Sequence, residues 1–116
     1  MLIRIDPESS RPLFEQIAAS VRGEVLAGRL RVGDRLPAAR EVADAIDVNV
    51  HTVLRAYQEL RAEGLVDLRR GRGAVVAATA EPLAELADDI TDLVRRGARL
   101  GLTPATIAAL IKETTP

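Results

Sequence analysis

The segment Arg69-Arg70-Gly71-Arg72-Gly73 places three guanidinium groups beside two residues that have no side chain. A guanidinium is a planar fork of donors suited to phosphate or to the acceptor edge of a guanine, and glycine lets main chain approach such a partner closely. Upstream, Asn49, His51, Thr52 and Arg55 supply further donors and acceptors within two turns of helix-forming sequence, with Val50 among them. This is the chemistry of recognition by hydrogen bonds and charge. No pair of carboxylates, nucleophile with an adjacent base or metal-ligand cluster accompanies it, so catalysis is not expected. The chain has no cysteine and one histidine, which is too little for a zinc site, and no cofactor or metal is implied. The glycines do not form a nucleotide loop either, because no lysine-serine or lysine-threonine pair follows them to open a helix. Taken singly, arginines on a turn or one histidine on a helix are ordinary solvated surface. It is the order of cap, helix, strand, basic tip and strand that points to docking on duplex DNA.

Positioning those side chains requires a small set of elements. Leu13, Ile17, Val21 and Val25 recur at four-residue spacing and predict a first helix, with Pro12 in its first turn and Gly28 as its left-handed stop. Residues 32–37 read as a turn and a short extended piece. A second helix then carries Arg40 outward and Val42, Ala43 and Ile46 inward. Asp47 stands where the chain turns sharply, and Asn49 has the side-chain oxygen of an N-cap. In the third helix Val53, Ala56, Tyr57 and Leu60 face the core. Val50, His51, Thr52 and Arg55 are left near the outer N-terminal part, the part of such a helix that meets base edges in the major groove. Gly64 ends the helix, residues 65–68 and 74–77 read as strands, and Arg70, Gly71, Arg72 and Gly73 form the tip between them. The expected fold is mainly α with a small β-hairpin, a winged helix-turn-helix.

At 116 residues and 47% apolar content the chain has room for one such domain and a small appendage. It shows neither an apolar run long enough for a membrane span nor the apolar stretch of a signal peptide, so a cytoplasmic protein with no membrane partner is expected. Net charge is −1, which by itself argues against nucleic acid. The distribution reverses that argument. Basic charge concentrates at the tip while Glu81, Glu85, Asp88, Asp89 and Asp92 lie beyond residue 80, and charges more than about 8 Å apart in solvent are largely screened at physiological salt.

These residues together resemble the GntR family of bacterial transcription regulators, in particular the short YtrA-like subgroup. The resemblance rests on Gly33-Asp34-Arg35-Leu36-Pro37, Arg40-Glu41-Val42-Ala43, Glu63-Gly64-Leu65-Val66 and Arg70-Gly71-Arg72-Gly73, within residues 10–78. The opening Ile3-Arg4-Ile5-Asp6 and the stretch from Asn49 to Tyr57 are similar to the subgroup. The resemblance implies DNA contacts from Arg40, from Asn49, Val50, His51, Thr52 and Arg55, and from the wing residues Arg70 to Gly73. Ala38 and Val50 depart from relatives that carry serine and arginine or proline there, which implies a different base preference. Val50 suits a thymine methyl, while Asn49 and His51 suit either a base or a phosphate.

Beyond Thr79 the pattern changes. Leu83, Leu86, Ile90, Leu93, Gly97 and Leu100 follow at alternating three- and four-residue steps, a heptad seam, with acidic residues in its first half and Arg95, Arg96 and Arg99 in its last. Gly101 ends it, and Thr103-Pro104 opens a shorter helix with Ile107, Leu110 and Ile111. The division expected is therefore a DNA-binding domain over residues 1–78 and a helical dimerisation region over 79–116. The seam packs either on the chain's own winged domain or, as the resemblance favours, between two copies with Gly97 letting their backbones come close. A homodimeric repressor on a palindromic operator is the leading expectation, and a protein-binding module is the competing one. The appendage is small for an enclosed metabolite pocket, which leaves a cavity between helices and winged domain as the place for a small-molecule effector of unknown identity.

Overall fold

The apolar spacing of residues 13–25 becomes the helix α1 (Leu13–Leu26) in the computed structural model, which describes residues 3–114 apart from the side chain of Ala84. Ile17 and Val21 are wholly buried on its inner face. Pro12 is the N-cap, with φ −54° and ψ 143°, one position before the first turn in which its missing N–H had suggested it. Its carbonyl accepts from the Gln16 N–H at 3.1 Å. Gln16, buried, ties the preceding segment down: its Oε1 accepts from the Asp6 N–H at 2.6 Å and its Nε2 donates to the Arg11 carbonyl at 2.9 Å. Gly28 at φ 76° ends α1 in the left-handed conformation that only glycine adopts without steric cost.

Two further helices form the helix-turn-helix, α2 (Ala39–Ile46) and α3 (Val50–Ala62). The turn between them depends on Asp47 at φ 55°, ψ 54°, the one non-glycine residue with positive φ among those described. The cap follows at once: Asn49 Oδ1 accepts from the His51 N–H at 2.8 Å. Val53, Ala56 and Leu60 are fully buried, and Tyr57 is 3% exposed, so the inner stripe of α3 lies where its spacing puts it. The hairpin pairs β1 (Val66–Arg69) with β2 (Gly73–Val76), antiparallel, in the register Val66 opposite Val76 and Arg69 opposite Gly73. Gly73 is thus the first residue of the returning strand and not part of the turn.

The extended piece after Gly33 joins this hairpin as a third ribbon. Arg35 bridges Val75, Leu36 N–H donates to the Ala74 carbonyl at 2.9 Å, and Val76 N–H donates to the Asp34 carbonyl at 2.9 Å. Its cover leaves Val75 and Val76 1% exposed, and Val76 joins a core shared with α1 and α3. Arg22 closes the far side. Its guanidinium makes two bonds to Glu63, one of them 2.7 Å, joining α1 to the end of α3, and this hydrogen bond raises the arginine pKa above its ordinary value.

The chain divides into two compact units between Ala84 and Glu85. A turn of 3₁₀ helix, Ala78–Ala80, leads to α4 (Leu83–Arg99), and α5 (Pro104–Glu113) follows with Thr103 as its N-cap. Leu83, expected in the seam, is half-buried against the core of the first unit, beside Val25, Leu26 and Leu65. Gly97 is buried under Ile107 of the same chain: a side chain at 97 would collide with the isoleucine. The space expected to admit a partner's backbone is filled from within. Leu100 lies past the last residue of α4 and is 78% exposed. Leu86, Ile90 and Leu93 are the members of the seam left as an exposed row on α4. Among the described residues no helix is long and apolar enough to cross a membrane.

Candidate nucleic-acid interface

The start of α2, the outer face of α3 and the hairpin enclose an open cleft of about 900 Å³ in the first unit. Arg35, Arg69, Arg70 and Arg72 line it, together with Tyr57 and the exposed apolar side chains Leu54 and Leu68. An arginine-rimmed cleft with apolar walls holds phosphate by charge while the walls lower the local dielectric. Each wall has a local cause. The turn at the hairpin tip is closed by Arg72 N–H donating to the Arg69 carbonyl at 3.1 Å, and Gly71 and Gly73 take φ of 79° and 70°, so Arg70 and Arg72 project from a backbone that needs glycine on either side of Arg72. Arg35 reaches across from the third ribbon, its Nε donating to the Arg72 carbonyl at 3.0 Å. The cleft's other wall is pinned by Tyr57, whose hydroxyl donates to the Pro37 carbonyl at 2.6 Å. Burial, with a smaller push from Glu41, raises the phenol pKa to about 12, so Tyr57 remains a donor across the physiological range.

The residues singled out from the sequence divide into several groups here. Arg40 is exposed at the second position of α2, and Arg70, Gly71, Arg72 and Gly73 are exposed on the hairpin. His51 is exposed and Thr52 half-buried in the first turn of α3. Asn49 has its side-chain oxygen committed to the cap, leaving its amide N–H₂ as the outward group. Val50 is half-buried and packs against the core, where the outer face had been expected. Its helical position turns it back over the preceding turn. Arg55 is exposed, yet its guanidinium lies 3.7 Å from the centre of the Phe14 ring, a cation–π contact that holds it to α1. Arg35 and Tyr57 were not legible as site residues. Their only signal was the extended piece that ends in Leu36-Pro37, which places both beside the hairpin once it pairs.

The model for bacterial regulatory proteins of the gntR family matches residues 13–76, more than half of the chain. The chain belongs to that family. It is 42% identical over 80 residues to the HTH-type transcriptional repressor YtrA of Bacillus subtilis, a match covering 69% of this chain and 62% of that protein. To the HTH-type transcriptional regulator YhcF of the same organism it is 37% identical over 113 residues, 93% of each. Among solved structures, YtrA from Sulfolobus acidocaldarius, a GntR-family transcription factor, superposes with a TM-score of 0.63 at 31% identity, covering 85% of this chain and 99% of that one. These likenesses place the chain in the YtrA-like subgroup and identify it as a DNA-binding transcriptional regulator with a winged-helix fold.

Proposed function

We propose that the protein is a homodimeric repressor that reads a palindromic operator, acting in the cytoplasm where the DNA lies. The observation that carries this reading is the juxtaposition of the start of α2, the middle of α3 at Leu54, Tyr57 and Gln58, and the arginine-tipped hairpin around one cleft, with His51 and Thr52 one turn before Leu54 on the same helix. In the proposed docking His51, Thr52 and the Asn49 amide meet base edges, with Val50 at the margin. Arg40 and Arg55 meet phosphates, and Arg70 and Arg72 on either side of Gly71, followed by Gly73, enter the minor groove or clamp its phosphates. The repressor assignment is supported by the name of the Bacillus relative. The DNA-binding part is residues 1–78. The helical region, 79–116, holds the dimer through Leu86, Ile90 and Leu93, whose exposure on one helix face calls for a partner. Leu83, Gly97 and Leu100 act at the edges of that contact, the first two through packing inside the chain.

The wing provides the direct test. Each phosphate neutralised by an arginine releases a condensed counterion, so affinity falls with salt in proportion to the number of contacts. Replacing Arg70 and Arg72 with alanine weakens specific and random duplex alike and flattens the log–log salt slope by roughly two per protomer. Fluorescence anisotropy against a labelled operator and a random duplex at several salt concentrations measures both. Unchanged slopes on both duplexes refute this role for the wing.

A further inference from the structure

We infer that α4 packs antiparallel against α4 of a second copy, with Asp89 of each chain opposite Arg96 of the other. This deepens the dimer proposed above and rests on it, adding orientation, register and the charge pairs that select them. Leu86, Ile90 and Leu93 are 50%, 42% and 44% exposed, and Leu110 and Ile111 of α5 are exposed in the same unit. Heptad spacing fixes what flanks the row: Asp89 and Arg96 on one side, Ala87 and Val94 on the other, the latter pair half-buried. In a parallel pair unlike flanks meet, which sets Asp89 and Arg96 against Ala87 and Val94. In an antiparallel pair each flank meets its own copy reversed. Asp89 then faces Arg96 of the partner subunit, and two-fold symmetry repeats the contact.

Charge along the whole helix selects the same orientation. Glu85, Asp88, Asp89 and Asp92 occupy the first half of α4, and Arg95, Arg96 and Arg99 the second. This segregation puts Glu85 one turn from Asp89, Asp88 one turn from Asp92 and Arg95 one turn from Arg99, repulsive pairs that the helix dipole offsets only in part. None of these side chains joins an ion pair among the described residues. A parallel copy adds acid to acid along one half and base to base along the other. An antiparallel copy sets acid against base in both halves and brings Ile90 against Leu93 of the partner subunit.

The full chain, which has no cysteine, allows single spin labels at Glu85→Cys or Arg99→Cys. With a helical rise of about 1.5 Å per residue, antiparallel helices hold two labels at 85 roughly 20–25 Å apart, and labels at 85 and 99 in mixed dimers roughly 10–15 Å apart. Parallel helices exchange those values. Sedimentation gives the second readout: Asp89→Arg and Arg96→Asp each raise the dimer dissociation constant about tenfold by turning two attractions into repulsions, and the double exchange restores it to within about threefold. Wild type that sediments as a monomer at every concentration overturns the dimer itself. Wild type that dimerises with labels at 85 close together, or single exchanges without effect, overturns the orientation and leaves the dimer standing.

Discussion

At the scale of single residues, Arg35 both lines the cleft and braces the wing, and its hydrogen bond does the bracing. Its Nε holds the Arg72 carbonyl, fixing the turn that presents Arg70 and Arg72, and an arginine fork loses little freedom in doing so. Replacing Arg35 with alanine releases that turn, and the expected loss of operator affinity is about fivefold, or about 1 kcal/mol, the size of one ordinary solvent-exposed hydrogen bond. The double-mutant cycle separates positioning from contact. In a chain already lacking Arg70 and Arg72 the same change costs less than about twofold, because nothing is left to position. Full additivity assigns Arg35 a phosphate of its own. Arg55 is the complementary case, a residue expected among the DNA contacts whose guanidinium is held over Phe14. Neither partner could be read from spacing, since Arg35 and Arg72 are 37 residues apart. The Asn49 cap was legible, because it bonds to the N–H two residues on.

At the scale of elements, the joint between α2 and α3 is secured from two sides. Asp47 makes the turn, and Tyr57 holds the entry to α2 through Pro37. The folded pKa of Tyr57, about 12, lies above the ordinary tyrosine value of 10.0. Folding therefore favours the protonated phenol: its contribution is complete below about pH 10 and is lost as pH rises towards the folded value. With one tyrosine and no tryptophan in the chain, tyrosinate absorbance reports this group alone. The absorbance midpoint is expected near 12 in the native protein and near 10 in denaturant. Tyr57→Phe costs about 1 kcal/mol in denaturant melts at neutral pH and removes most of the decline above pH 10. The second element joint is α4 with α5. Leucine in place of Gly97 would occupy the site of Ile107, and a helix as short as α5 is marginal without packing. Hydrogen exchange in α5 is expected to accelerate at least tenfold in Gly97→Leu, while α1 and α3 keep their protection. An effect confined to dimerisation, with α5 protected as before, assigns Gly97 to the interface instead.

For the whole molecule, the net charge of −1 is an average over an arginine-rich cleft and an acidic half of α4, so the sum is a poor guide to binding. The two proposed tasks are coupled through effective concentration: the dimer delivers a second α3 to the second half-site. Charging Ile90 and Leu93 as glutamates removes buried apolar area worth about 1.5–3 kcal/mol per side chain. Affinity for a full palindrome should then fall by about two orders of magnitude or more towards that for a half-site, while half-site binding is unchanged. Anisotropy on both duplexes distinguishes this from a general loss of fold, which lowers the two together. The sequence by itself determined whatever is set within a few residues along the chain. Burial periods of α1 and α3, the cap at Asn49, the left-handed turn at Asp47 and the stop at Gly28 each follow from neighbours one or two turns away. Only the tertiary structure decided which distant surfaces meet. Residues 34–36 became a third ribbon, Arg35 took hold of the wing, Leu83 left its heptad for the core of the first unit, and Ile107 filled the space above Gly97. The physical reason is that periodicity states which side of an element is apolar, whereas the partner of that side is chosen by shape and volume among residues far apart in the chain.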